Sequence, residues 1–285
     1  MIVIFKVEEE KELMQYLLSK EMGRKNIKNM LKYSNVLVNN KVVKAYNYLL
    51  KKGDVVTFKN TKEDVRDKQS NLKIIFEDKN ILVLDKPAGL LTVSTDKEKE
   101  KTLFHIASEY VKKGNYKNKI FIINRLDKGT SGVVMFAKTE KIKEAYQSNW
   151  NDLVIKRSYI AIVEGILEKK EQTICKKLIE VNDRVKVSND GKSAITSYKV
   201  RKEKDNYSLL DVEIKTGRKN QIRVHLSSIG HGIIGDEKYG SKKSPIKRMG
   251  LHANLLEIKN PITKETFEFS SKIPSNFKYL FKGEK

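Results

Sequence analysis

Near the start of the chain, apolar residues recur at helical spacing, first as Leu13, Tyr16 and Leu17 and then as Ile27, Met30 and Leu31. This spacing predicts two short amphipathic helices. The period then changes. Val36-Leu37-Val38 and Val42-Val43 flank Asn39-Asn40, which predicts a hairpin, and Val55 to Phe58 after Gly53-Asp54 predicts a further strand. These elements make an ααβββ module within residues 1–60. Residues 61–72 are polar and of mixed charge, with no apolar periodicity, and read as a linker. Over residues 73–285 short apolar runs alternate with turns: Ile74 to Phe76, Ile81 to Leu84, Phe121 to Ile123, Val133 to Ala137, Tyr159 to Val163, Ser197 to Val200, Leu209 to Ile214 and Leu251 to Ile258, with a helix near Leu103 to Lys112. The expected class is α+β, a small N-terminal module followed by a larger domain built on a mixed, mainly antiparallel sheet flanked by helices.

An apolar content of 39% can fill an ordinary core. Charge adds a partner. Lysine and arginine total 58 against 36 acidic residues, a net charge of +22, which is more than solubility requires and points to a polyanion. The basic residues Arg24, Lys25, Lys28 and Lys32 cluster on the second predicted helix, whose Ile27 and Leu31 face inward, so its outer face can meet phosphates. No apolar run approaches the roughly 18 residues of a membrane span, and the opening Met1 to Val7 is cut short by Glu8, Glu9 and Glu10. The expectation is a cytoplasmic monomer with no membrane association. Cys175 is the sole cysteine, which excludes an internal disulfide and a multi-cysteine zinc site. His105, His225, His231 and His252 have no metal-ligand spacing, so no metal is assigned.

Candidate chemistry concentrates in Asn124-Arg125-Leu126-Asp127-Lys128-Gly129-Thr130-Ser131-Gly132, a loop between two predicted strands. Such a loop is anchored at both ends and presents its side chains to a cleft. Further along come Leu84-Asp85-Lys86-Pro87-Ala88-Gly89-Leu90, Lys156-Arg157-Ser158-Tyr159-Ile160-Ala161 and Thr216-Gly217-Arg218-Lys219-Asn220-Gln221-Ile222-Arg223-Val224-His225-Leu226. In this order, the four segments resemble the motifs of the RluA-type pseudouridine synthases. Residues 1–60 likewise resemble the S-four type RNA-binding domain, through Val-Leu-Val-Asn-Asn-Lys and Gly53-Asp54-Val55. There are two departures: Asn124 stands where the family commonly has His, and Lys219-Asn220 where it commonly has Thr-His. These bear on local packing and RNA contacts, since neither is the family's nucleophile position.

The resemblance implies that uridine in a structured RNA is isomerised to pseudouridine without a cofactor, most naturally in large-subunit ribosomal RNA. It gives Asp127 as the catalytic carboxylate and Arg223 as its partner, an arginine that keeps it ionised and orients it through two parallel hydrogen bonds. Tyr159 would stack on the extruded uracil, and Arg125 would fill the vacated place or hold the distorted RNA. Lys86 and Pro87 read as a strand-ending turn at the cleft rim. The competing classes are a non-catalytic RNA-binding or chaperone protein, favoured only by Asn124 and Asn220, and a hydrolytic nucleosidase, which would need a second acid. No paired acidic motif supports the latter.

Overall fold

The computed structural model describes residues 4–20, 22–32, 36–58, 72–94, 102–241 and 244–282. The chain divides into two compact units, Met1–Asn71 with Phe104–Ile120, and Leu72–Leu103 with Phe121–Lys285. In the first, Ile4–Lys6 (β1), Lys11–Glu12 (β2), Leu13–Ser19 (α1), Arg24–Lys32 (α2), Val36–Val38 (β3), Lys41–Val42 (β4), Leu49–Leu50 (β5) and Val55–Phe58 (β6) follow in order. Antiparallel pairing gives one sheet in the order β1-β6-β3-β4 and a second, β2-β5. Asn39 and Asn40 both take positive φ at the β3–β4 turn, which the hairpin reading requires of a two-residue connection. The helical-period residues Leu13, Leu17, Ile27 and Leu31 meet Val36, Val38 and Val56 in one core, and Tyr116 packs against it. Tyr116 follows the helix Leu103–Gly114 (α3), most of which belongs to this unit. The predicted linker lies outside the described residues except for Leu72.

The second unit is built on an eleven-stranded sheet among the described residues. Its strands are Ile74–Glu77 (β7), Ile81–Lys86 (β8), Phe121–Ile122 (β9), Ser131–Ala137 (β10), Val154–Glu164 (β11), Glu171–Val181 (β12), Arg184–Val187 (β13), Lys192–Lys204 (β14), Tyr207–Ile214 (β15), Leu251–Lys259 (β16) and Thr266–Ser270 (β17). The order is β13-β12-β14-β15-β11-β16-β10-β8-β7, with β17 on β16 and β9 on β10. Only β10 and β16 pair in parallel; the sheet is otherwise antiparallel. Helices Glu140–Ser148 (α4), Trp150–Leu153 (α5), Gln221–Ser227 (α6) and Ser275–Leu280 (α7) complete the unit.

Strand alternation decides which side chains reach the site. On β11, Ala161 and Val163 pack with Leu210 and Val212 against Ile222 and Leu226 of α6, and Tyr159 adjoins this cluster. Ile160 and Ile162 point the other way, to Phe277 and Phe281 at α7. Tyr159 therefore shares the face that α6 covers. Every residue of β10 is buried, as a central strand with two covered faces requires. Gly132 sits there at φ +116, where a Cβ would lie 2.0 Å from the Ala253 carbonyl oxygen, so only glycine lets β10 approach β16 directly after the Asp127 loop.

Candidate active site

Asp127 lies in the loop between β9 and β10, and the chain before β9 and after β8 braces it from behind. The Thr92 hydroxyl donates to the Leu126 carbonyl at 2.7 Å and accepts the Leu126 N–H at 3.1 Å. On the other side of Asp127, the Lys128 carbonyl accepts from the Gly89 N–H at 2.8 Å and from Lys86 Nζ at 3.3 Å. Lys86 is fully buried, and its ammonium also donates to Leu90 O at 2.6 Å and Pro87 O at 3.0 Å. Burial pushes its pKa down to about 7, assisted by the charge of Arg248 and opposed by that of Asp127. Lys86 thus does more than shape a rim: it ties two loops together beneath the carboxylate. Asn124 accepts the Met135 N–H at 2.8 Å, so this departure from the family pattern is absorbed by a bond to β10.

Helix α6 supplies the facing wall. Its buried Gln221 anchors it, Oε1 accepting from Thr216 Oγ1 at 2.7 Å and from the Arg218 N–H at 3.0 Å, and Nε2 donating to Ile195 O at 2.9 Å. Asn220 caps the helix in the left-handed conformation (φ 52, ψ 21), which asparagine tolerates better than most residues. Its Nδ2 donates to Asp127 Oδ2 at 2.6 Å. Arg223 Nη1 donates to the same oxygen at 2.8 Å.

The expected two-bond fork between Arg223 and Asp127 is not what forms. Arg223 directs its fork at Asp236, with Nε to Oδ2 at 2.7 Å and Nη2 to Oδ1 at 2.8 Å, and gives Asp127 a single bond. The reason is geometric: a guanidinium that serves two carboxylates can present its paired edge to only one. Asp236 also accepts the Lys238 and Tyr239 N–H groups at 3.1 and 3.2 Å, and the Tyr239 ring lies 4.9 Å from the Arg223 guanidinium. Burial opposes the charge on Arg223, but the bonds to Asp236 and Asp127 outweigh it and hold the pKa above the ordinary arginine value.

Arg125, Asp127, Tyr159, Arg218, Asn220 and Arg223 line one cleft. Arg125 is exposed at its rim. Burial raises the Tyr159 hydroxyl above its ordinary pKa; Arg157 opposes this and Asp127 adds to it, so the phenol is neutral at physiological pH. The remaining predicted binding residues, Arg24, Lys25, Lys28 and Lys32, lie on α2 of the first unit, where Arg24, Lys28 and Lys32 are exposed and the side chain of Lys25 falls outside the described ones. A larger open depression of about 620 Å³ is lined by Ser158, Ser197, Asp211 and Glu213 among others. It contains none of the predicted site residues, and its Arg201 and Asp211 are already paired.

Sequence reasoning missed Asn220 as a ligand of the carboxylate, and missed Asp236 altogether. The signal for Asp236 was slight: an acid directly after Ile233-Ile234-Gly235 is carried into a buried segment and must find a cation there.

Comparison with known proteins identifies the family. Residues 80–228 match the family described as RNA pseudouridylate synthase. The uncharacterized RNA pseudouridine synthase YhcT of Bacillus subtilis (strain 168) is 32% identical, over 89% of this chain and 86% of its own length. The ribosomal large subunit pseudouridine synthase D of Zymomonas mobilis is 32% identical, over 74% of this chain and 72% of its own length. In fold, the chain is similar to human RNA Pseudouridylate Synthase Domain Containing 4, with a TM-score of 0.61 at 22% identity, covering 73% of this chain and 90% of that one.

Proposed function

This chain belongs to the RNA pseudouridylate synthases, and from that premise we propose that it modifies large-subunit ribosomal RNA, using Asp127 as the catalytic carboxylate and Arg223 and Tyr159 as its partners. The reaction is an isomerisation. The bond between C1′ and N1 breaks, the uracil turns, a bond forms between C1′ and C5, C5 loses a proton and N1 gains one, so atoms balance without a redox partner. Positive charge builds on the sugar as the first bond breaks. An ionised carboxylate beside it can stabilise that charge, attack C1′, or take a proton from C2′.

The observation that carries this reading is Asp127 held in the cleft by Arg223 at 2.8 Å and Asn220 at 2.6 Å, with Tyr159 alongside. The two hydrogen bonds fix where the acid points. The neutral Tyr159 ring offers a surface for an extruded base. Arg125, at the exposed rim, suits the displaced RNA backbone or the place the base leaves. The ribosomal target rests on similarity to proteins named for the large subunit, and on the N-terminal module, which we read as an S-four-like RNA-binding domain whose α2 carries Arg24, Lys25, Lys28 and Lys32 as ligands for phosphates.

Asp127→Asn keeps the shape but supplies neither base nor nucleophile. Tritium release from RNA carrying 5-tritiated uridine should be abolished, with RNA affinity within a few fold of wild type. Release at the wild-type rate would refute the assignment of Asp127. Mapping pseudouridines in total RNA with and without the gene tests the substrate: loss from a large-subunit position supports it, and loss confined to transfer RNA overturns it.

A further inference from the structure

We propose that Asn220 is a positioning residue that, together with Arg223, holds Asp127 by one oxygen only, so that Oδ1 is the oxygen presented to the substrate. This rests on Asp127 being the catalytic carboxylate. Asn220 Nδ2 and Arg223 Nη1 both donate to Oδ2, at 2.6 and 2.8 Å. Among the described residues no hydrogen bond reaches Oδ1. Asp127 is one-third exposed, at 33%, so the unengaged oxygen has an opening toward the cleft.

The direction of the Asn220 amide is itself determined. The Val185 N–H donates to the Tyr239 hydroxyl oxygen at 2.8 Å, which leaves the phenolic proton to be given to Asn220 Oδ1 at 3.3 Å. With its oxygen engaged there, the amide must turn its N–H toward Asp127. The Tyr239 ring also stacks on the Arg223 guanidinium, so one tyrosine supports both donors. The left-handed backbone at Asn220 aims this short side chain back from the helix start at the loop, a conformation open to few side chains. An amide donor does not titrate, so its bond to the carboxylate persists wherever the protein is folded. Asn220, a departure from the family's common residue at this position, is thereby part of the apparatus that keeps the acid aimed.

Two variants suit this backbone. Asn220→Gly tolerates the left-handed conformation and deletes the donor, and Asn220→Asp keeps the size while placing a second negative charge against Oδ2. Single-turnover rates at saturating RNA, set beside RNA affinity and melting temperature, provide the readout. For Asn220→Gly we expect a rate about 10-fold or more below wild type with affinity within a few fold, because a hydrogen bond to a charged group is removed. For Asn220→Asp the rate should fall further, because a second carboxylate faces Oδ2. A purely structural role would lower the melting temperature while leaving the saturating single-turnover rate of the folded variants at the wild-type value, and that result overturns the proposal. Asp127→Asn in the same assay separates the two readings: if it is inactive while both Asn220 variants keep the wild-type rate, the role of Asn220 fails and that of Asp127 stands. A complex with uridine-containing RNA in which Oδ2 lies nearer C1′ than Oδ1 would also overturn it.

Discussion

Replacing Asp236 by asparagine should damage both stability and chemistry, although the proposed function gives the reaction itself to Asp127. Asp236 accepts four hydrogen bonds, two from Arg223 and one each from the Lys238 and Tyr239 N–H groups. An amide has one acceptor oxygen, so either orientation turns an N–H₂ group toward at least one donor and removes the charge that neutralises the guanidinium. Asp236 is 1% exposed and Arg223 13%, so water cannot substitute. Breaking a buried pair from one side costs about 3–5 kcal/mol, and the lower end applies because Arg223 keeps Asp127 as a partner. In a domain of this size, about 3 kcal/mol corresponds to a fall in melting temperature of roughly 6–12 °C. The single-turnover rate should drop roughly 10- to 100-fold, since Arg223 loses the fork that fixes it against Asp127. The Arg201–Asp211 pair supplies the control, with the same fork at 2.6 and 2.9 Å but both side chains 44% exposed. Exposed pairs contribute about 0–1 kcal/mol, so Asp211→Asn should shift the midpoint by no more than about 4 °C. Scanning calorimetry on both variants decides the matter. Equal shifts would refute the argument from burial, and an unchanged Asp236→Asn rate would refute the argument from positioning.

Lys86, with its pKa depressed to about 7, binds fewer protons folded than unfolded between that value and the ordinary lysine value, so its contribution to stability should rise with pH across this window, by up to about 1.4 kcal/mol per unit. Urea unfolding at several pH values should show this slope in the wild type and its loss in Lys86→Met; an equal slope in both would refute it. Replacing Arg24, Lys25, Lys28 and Lys32 together by alanine should weaken RNA binding and make the dependence of log affinity on log salt shallower by about 0.7–0.9 for each phosphate no longer neutralised. Filter binding across a salt series checks this, and an unchanged slope would exclude α2 from the RNA interface.

What the sequence made legible, and what it hid, follows from where the determinants sit. Strands such as β8 and β10 are buried on both faces, so Ile81 to Leu84 and Val133 to Ala137 stand out as unbroken apolar runs. Strand β12 was invisible because it lies far out in the sheet, where only Ile174 and Leu178 of its eleven residues are buried. Helix α6 spans seven residues, too few to display a period, and its buried face includes Gln221 and His225. Asp127, Tyr159, Arg125 and Arg223 were found through motifs and share one cleft. Asp236 belongs to no motif read from the chain. Its role is a pairing between residues 223 and 236, and no local rule of spacing encodes a side-chain fork across a loop.

The pairing that was missed also determines which arginines are available to RNA. A lone Arg223 at the cleft wall would be a natural phosphate ligand. Three of its five N–H donors are instead given to Asp236 and Asp127, and a shift toward a phosphate would leave Asp236 charged and buried without its counterion. Such a group costs several kcal/mol, more than one phosphate contact at a wet surface returns. Arg223 is therefore committed to the carboxylates, while Arg125, exposed at the rim, can turn to the nucleic acid without unpairing a buried charge. The division follows burial: the enclosed cation holds Asp127, and the exposed one is left for the polyanion.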